Sequence, residues 1–351
     1  MDTNKKTVAV LFGGRSAEHD VSLNSAHALY THMDKEKFEP LFIYIDRQGL
    51  WHPMSEESFL KKDFSKTGGY SFLPWQTGFA GQIDADIYFP MLHGPNGEDG
   101  RLQALLEMGG KPYVGAGSFS SGLAMDKVVS KTLFKNAGLD IGDYLFFESN
   151  DYSIIRDDVN EKLGYPVFVK PCAMGSSVGI SKVSAESQLK KAVNLAFRYD
   201  RKILVEKGLD IREIEVSVMG NDHIKVSRPG ELIPSNEFYD YKDKYIDGKT
   251  TFHMPAQVSP AIESEIRRIA GSAYKALFLN GMARVDLFIE KSTGKILMNE
   301  INTIPGFTQI SMFPKLWTLD GISFTSLITI LIDYGFEYFE KTENVDTGLH
   351  G

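Results

Sequence analysis

The chain has 351 residues, enough for two or three domains, and its 42% hydrophobic and 24% charged content is that of a globular protein able to bury a large core. Its 38 basic against 46 acidic residues give a net charge of −8, which offers no general attraction to nucleic acid or to an anionic membrane, so small-molecule partners are expected. A single cysteine, Cys172, excludes an intramolecular disulfide and fits a reducing, cytoplasmic setting.

In chain order, the apolar run at 8–12 behind Lys5 and Lys6 is too short for a signal-peptide core and reads as a first strand ending at Gly13-Gly14. Strands over 7–12, 40–45, 87–92 and 112–115 alternate with helices over 21–33 and 102–108, the pattern of a parallel sheet with helices on its faces. Between Trp51 and Ile83 the pattern dissolves into Gly, Lys, Ser and scattered aromatics, which reads as an irregular surface excursion. A helix over 122–136 ends at Gly138, and strands then outnumber helices: 166–170 and 179–183 around a Gly/Ser loop, a helix over 185–199, and strands over 202–206, 213–219 and 223–227. This reads as a smaller α+β unit. Ser259-Pro260 opens another helix, with serine as N-cap and proline in its first turn, that runs to Asn280-Gly281. The apolar stretch at 322–332 carries Ser323, Thr325, Ser326 and Thr329 and is too short for a membrane span.

A final strand pair, over 283–289 and 296–302, carries most of the chemistry. Side chains alternate along a strand, so Arg284 shares a face with Asp286, as Glu300 does with Asn302. Two acids, an amide and an arginine converging on a sheet suit Mg²⁺ held jointly with nucleotide phosphates. An ordinary exposed face of an amphipathic hairpin has the same pattern. The segment from Pro171 to Gly179 lies between two strands and lacks the Gly-Lys-Ser/Thr ending of a P-loop. Its Gly and Ser residues suit either a phosphate-covering tip, with Lys170 supplying charge, or a plain solvent hairpin. Near the N-terminus, Gly13-Gly14-Arg15-Ser16-Ala17-Glu18 follows a strand without the full dinucleotide fingerprint. Glu18, expected in a first helical turn, suits either the macrodipole or a substrate ammonium. His93, in a glycine-rich loop after a strand, is either a substrate contact or a turn residue bonding backbone. Glu206-Lys207-Gly208-Leu209 ends a strand, and the three tyrosines among alternating charges over 237–245 fit a mobile lid.

Seven segments, GGRSAEHDVS, LHGPNGEDG, MDKVVSK, FVKPCAMGSSVGISKV, FYDYKDKY, ARVDLF and NEINTIPGFTQIS, occur in the order found in the D-alanine–D-alanine ligase family of the ATP-grasp superfamily, which the chain resembles from Val8 to about Leu331. The resemblance implies an α/β and α+β protein: an N-terminal Rossmann-like parallel-sheet domain over 1–121, a central ATP-grasp subdomain over 122–210, and a C-terminal subdomain over 211–351 with metal site and lid. It also implies that Lys127 and Lys170 meet ATP phosphates, with Ser176 and Ser177 nearby, that Glu206, Lys207 and Leu209 hold the adenine, and that Glu213 holds the ribose. Asp286, Glu300 and Asn302 would bind two Mg²⁺ ions, or Mn²⁺ in their place. Arg284 and backbone N–H groups around Ser176 and Gly306 would stabilise an oxyanion. Glu18 would anchor the first D-alanine, His93 would line the substrate site, and Ser311 and Met312 would face the second D-alanine. Lys244 and Tyr245 would come from the closing lid over 238–249, Tyr245 linking to Ser176 and Glu18. A homodimer acting on D-alanine and ATP is expected by the same resemblance. Rival readings are a D-alanine–D-lactate or D-serine ligase of the same fold, a ligase for another amino acid, and a non-catalytic nucleotide sensor. Retention of Tyr245 and of the metal and acyl-transfer residues favours the peptide-forming enzyme.

Overall fold

The computed structural model describes residues 5–65, 83–233 and 251–343. Strands β1 (Lys6–Gly13), β2 (Phe38–Ile45), β3 (Trp51–Met54) and β4 (Ile87–Met91) form a four-stranded sheet in the order β3-β2-β1-β4. The central strand β1 runs parallel to β2 and β4, and its residues Val8 to Phe12 are fully buried, as expected of a parallel strand covered on both faces. Helices α1 (His19–His32), α2 (Glu56–Leu60) and α3 (Arg101–Met108) belong to this lobe.

The expectation of irregular chain after Trp51 is corrected: β3 pairs antiparallel to β2, and α2 is capped by Ser55, which accepts from Ser58 N at 3.2 Å. Residues 66–82 of that segment lie outside the described residues. The expected strand at 112–115 is reduced to one parallel bridge between Tyr88 and Tyr113. The single helix expected over 122–136 is two, α4 (Ser118–Met125) and α5 (Lys127–Asn136). Asp126 breaks it, because its carboxylate accepts from Val128 N and Val129 N at 3.0 and 3.2 Å and so caps a new helix with an extended backbone.

The second sheet contains β5 (Tyr144–Phe147), β6 (Val167–Pro171), β7 (Ser181–Val183) and β8 (Ile203–Lys207) in the antiparallel order β5-β8-β6-β7. Helices α6 (Tyr152–Lys162) and α7 (Glu186–Ala196) cover it through a core of Ile155, Val159, Leu189, Val193, Val167 and Val205. The third sheet is antiparallel: β9 (Ile211–Met219), β10 (Lys225–Val226), β11 (Gly230–Ile233), β12 (Thr251–His253), β13 (Met282–Glu290) and β14 (Ile296–Asn302), with β13 between β9 and β14. Helix α8 (Pro260–Ala276) starts at Ser259 as expected and packs Ile266, Ala270, Ala273 and Tyr274 into this sheet's core.

The chain then returns to its beginning. Helices α9 (Met312–Leu319) and α10 (Phe324–Glu343) contribute Phe313, Trp317, Leu327, Ile328, Leu331 and Ile332 to one core with Val8, Val10, Phe12, Phe89 and Met91. First and last segments are therefore welded by apolar burial across a boundary that the sequence places near residue 121. No single described helix is long and apolar enough to cross a membrane. The weld is close-packed at Gly335, where an added Cβ would sit 2.8 Å from both Ile87 Cδ1 and the backbone oxygen of Tyr113. Forcing a methyl into such a contact costs about 1–3 kcal/mol. Gly335→Ala is accordingly expected to lower the thermal midpoint in a melt followed by circular dichroism, and an unchanged midpoint would show that helix and sheet separate freely.

Candidate active site

The register of β13 and β14 sets Arg284 opposite Asn302 and Asp286 opposite Glu300, so the four expected residues share one patch of sheet. Arg284 donates through Nε and a terminal N–H to both oxygens of Asp286 at 2.7 Å, and its Nε lies 3.3 Å from Glu215 on β9. Asn302 Nδ2 donates to the same Asp286 carboxylate at 2.9 Å. Burial alone would disfavour the Arg284 charge, but Asp286 and Glu215 more than offset it and hold its pKa well above the ordinary value. Glu215, 4% exposed, escaped the sequence reading. Its signal is the period of two in Glu213, Glu215 and Ser217, polar positions alternating with apolar ones along β9.

Two helices deliver cations to the neighbouring wall. Lys127, at the start of α5, donates to Met174 O at 3.0 Å and lies 3.6 Å from Glu300 Oε2. Lys131, four residues on and hence on the same helix face, reaches Glu206 Oε1 at 2.7 Å. Lys170 from β6 pairs with the other Glu206 oxygen. Burial pushes the Glu206 carboxyl up, yet the two lysines prevail and hold it well below the usual carboxylate range. Lys170 stays charged for the complementary reason: its burial is outweighed by Glu206, with Glu300 and Glu213 adding to the attraction. Lys131 was not among the expected residues, although its spacing from Lys127 carries the signal.

Across from this patch, Ser176 donates to the carboxylate of Glu18. Glu18 sits at the N-cap of α1 rather than within its first turn, and its side chain caps no helix N–H but makes a contact spanning two lobes. Two glycines make room for it. A Cβ on Gly94, at φ +73°, would collide with the Glu18 carboxylate, and one on Gly175 would come within 2.8 Å of it. Ser176 and Ser177 have φ of +50° and +57°, a left-handed conformation that side-chain-bearing residues rarely adopt and that concentrates at ligand sites. His93 is buried against Ser25 and Ile304, and burial depresses its pKa against the pull of Glu18, leaving it neutral.

A cleft of about 510 Å³ joins these walls; Glu18, His93, Lys127, Ser176, Ser177, Arg284, Glu300, Asn302, Gly306, Ser311 and Met312 all line it. Ser311 is the N-cap residue of α9; its hydroxyl accepts from Thr308 N at 3.0 Å and caps none of that helix's N–H groups. Lys315, one turn further along α9, also lines the cleft and was not anticipated. Asp286 lies beneath Arg284 and Asn302 rather than on the cleft surface. Lys170, Glu206, Lys207, Leu209 and Glu213 are not among the lining residues: they sit on the adjoining walls at β6, the end of β8 and β9, with Lys207 exposed. Lys244, Tyr245 and the expected lid over 238–249 fall outside the described residues.

The donor set has the chemistry of a nucleotide-metal site, with hard carboxylate and amide oxygens beside lysines and an arginine. Residues 7–116 match the family model for the D-ala D-ala ligase N-terminus and residues 133–333 that for the D-ala D-ala ligase C-terminus. The D-alanine–D-alanine ligase of Thermoanaerobacter sp. (strain X514) is 46% identical over 349 residues, spanning 95% of this chain and 97% of that protein. That of Caldicellulosiruptor bescii is 43% identical over 365 residues, spanning 99% of this chain and 100% of its own length. Among solved structures, the VanG D-Ala:D-Ser ligase from Enterococcus faecalis superposes with a TM-score of 0.85 at 35% identity, covering 95% of this chain and 100% of that one. The D-alanine-D-alanine ligase from Coxiella burnetii gives 0.83 at 35% identity, covering 97% and 96%. Glu18 and His93 fall within the first matched segment and Ser176, Arg284, Glu300 and Ser311 within the second, so both walls of the cleft come from matched sequence, and the chain, with its ATP-grasp fold, belongs to the D-alanine–D-alanine ligase family.

Proposed function

We propose that this chain joins two D-alanines into D-alanyl-D-alanine at the expense of ATP, through a D-alanyl phosphate, as a step toward peptidoglycan precursors. The observation that carries the reading is the patch of Arg284, Glu300 and Asn302, backed by Asp286, which lines one cleft with the Glu18–Ser176 contact. A carboxylate resists nucleophiles because it is anionic and oxide is a poor leaving group. Transfer of the γ-phosphoryl to the carboxylate of the first D-alanine removes both obstacles and releases ADP. The amine of the second D-alanine then attacks the carbonyl carbon, the bond from that carbon to the phosphate oxygen breaks, phosphate leaves with the electron pair, and the amine loses a proton.

Such chemistry needs positioning and charge neutralisation more than a nucleophilic side chain. In this reading Lys127 and Lys170 bind phosphate oxygens and Ser176 and Ser177 cover them, with Glu206, Lys207 and Leu209 around the adenine and Glu213 at the ribose. Glu18 fixes the first ammonium, His93 lines its site, and Ser311 and Met312 at the start of α9 receive the second carboxylate. Arg284 and the backbone N–H of Gly306 stabilise the oxyanion. Asp286, Glu300 and Asn302 are assigned a pair of Mg²⁺ ions, or Mn²⁺: Glu300 lines the cleft, Asn302 spends its N–H on Asp286 and keeps its amide oxygen for a cation, and Asp286 would exchange a hydrogen bond from Arg284 or Asn302 for the metal. When bound, the ions supply positive charge to the phosphate oxygens. Lys244 and Tyr245 are assigned to a lid that excludes water from the acyl phosphate. The proposal includes a cytoplasmic homodimer; the buried free thiol of Cys172 is consistent with a reducing compartment.

Three outcomes test the reading. With ATP and Mg²⁺, phosphate release scanned over D- and L-amino acids and D-hydroxy acids should be greatest with D-alanine and yield the dipeptide; a dominant depsipeptide with D-lactate present, or preference for D-serine as second substrate, would reassign the acceptor. Glu300→Gln should lower kcat by about 10²–10³-fold, the scale of losing one transition-state charge contact. Its failure to change D-alanine-dependent ADP formation would remove Glu300 from the site. Chelation of divalent ions should abolish turnover and added Mg²⁺ restore it, as read by ADP formation.

A further inference from the structure

Three side chains of the first lobe hold main-chain groups on both sides of Gly306, and Ser25 and Glu98 among them have no part in the chemistry above. Glu98 accepts from Ile304 N at 3.0 Å with one oxygen and from Gly94 N at 2.7 Å with the other. His93 Nδ1 lies 2.9 Å from Ile304 O. A carbonyl can only accept, so Nδ1 carries the ring proton and Nε2 is the acceptor. Ser25, at 2.8 Å from Nε2, therefore donates its hydroxyl to the ring, and its oxygen accepts from Phe307 N at 3.4 Å. All three side chains are buried, and the contacts to 304 and 307 join residues 206 to 282 positions apart. Both polar groups of Ile304 and the N–H of Phe307 are thus fixed, with Pro305 restricting the backbone between them.

We propose that Ser25, His93 and Glu98 are positioning residues for the 304–307 segment, aiming the Gly306 N–H at the oxyanion only when the first lobe is docked on the third sheet. The inference rests on the proposed ligation, in which that N–H acts on the transition state. A donor held by a three-point grip costs no reorganisation during reaction, whereas a displacement of about 1 Å costs about 10²-fold in rate.

The test uses Ser25→Ala, which takes the acceptor from Phe307 N–H and the donor from His93, and Glu98→Gln, which sets an NH₂ donor against one of the two N–H groups that now meet separate oxygens. Each is assayed in the full chain for amide exchange by mass spectrometry and for D-alanine ligation. Faster exchange over 304–308, with the exchange of β1 and β13 unchanged, is expected in both variants. The kcat for dipeptide should fall by about 10- to 10²-fold while KM for ATP stays within about twofold, the signature of an interaction made only in the transition state. Unchanged exchange over 304–308 would overturn the grip whatever the reaction. Looser exchange with wild-type kcat would overturn the catalytic role. A wild-type protein that forms no dipeptide would instead overturn the proposed ligation and the catalytic half of this inference with it, while exchange still decides the grip.

Discussion

A buried guanidinium organises this site. Arg284 is flanked by Asp286 on its own strand and by Glu215 on the next, and these two carboxylates tolerate burial because the arginine lies between them. Removing one member of such a group leaves an uncompensated buried charge, which typically costs about 3–5 kcal/mol, whereas the intact group contributes little net stability. Its value is geometric. The fork of the guanidinium fixes the Asp286 oxygens in a plane, and Asn302 adds a third hydrogen bond from the neighbouring strand.

That constraint explains why the residues stand where the sheet places them. β13 pairs with β9 on one side and β14 on the other, so one register aligns Glu215, Asp286 and Glu300 in a row across three strands. A slip of one residue would turn the whole polar set into the core of Val216, Val285 and Ile301. The shift in the ladder between Asp286 and Leu287 falls beside this row, where bulges commonly re-aim side chains. Packing then brings the other walls into place: α9 and α10 bury their apolar faces in the first lobe, and that burial carries Ser311 and Met312 to the edge of the cleft opposite Glu18.

Period-two chemistry on strands made much of this readable in the sequence. Arg284 with Asp286 and Glu300 with Asn302 follow from alternation alone, and the start of α8 follows from Ser259-Pro260. What escaped reading depends on tertiary context. Asp126 looks like one polar residue within a helical stretch, and only its capping geometry and its pairing with Lys202 at 2.6 Å reveal that one helix ends and another begins there. Glu215, Lys131 and Lys315 carry local signals of strand or helix spacing, but a charge with the right periodicity reads equally well as a solvated face until packing buries it. Glu98 and Ser25 have no local signal for their contacts to Ile304 and Phe307, because those are backbone groups more than 200 residues away.

The charges in and beside the cleft are paired among themselves, and under the proposed roles this bears on how nucleotide and metal would act together. Lys127 lies beside Glu300, and Lys170 shares Glu206 with Lys131. Under the proposed roles, a phosphate that drew Lys127 away would cost Glu300 one of its cationic neighbours, beside Arg284 and Lys170, in a partly buried setting. A divalent cation placed alone beside Glu300 and Asp286 would, under the same roles, meet Arg284 and Lys127 close by, and like charges repel at that range. Bound together, the two would offset each other's penalty, the cation supplying charge at the carboxylate and the phosphate taking up the lysine. Each would then raise the affinity for the other by the same factor, since coupling between two equilibria is reciprocal. The ion pairs in and beside this cleft would, under those roles, also favour the metal-nucleotide complex over either component.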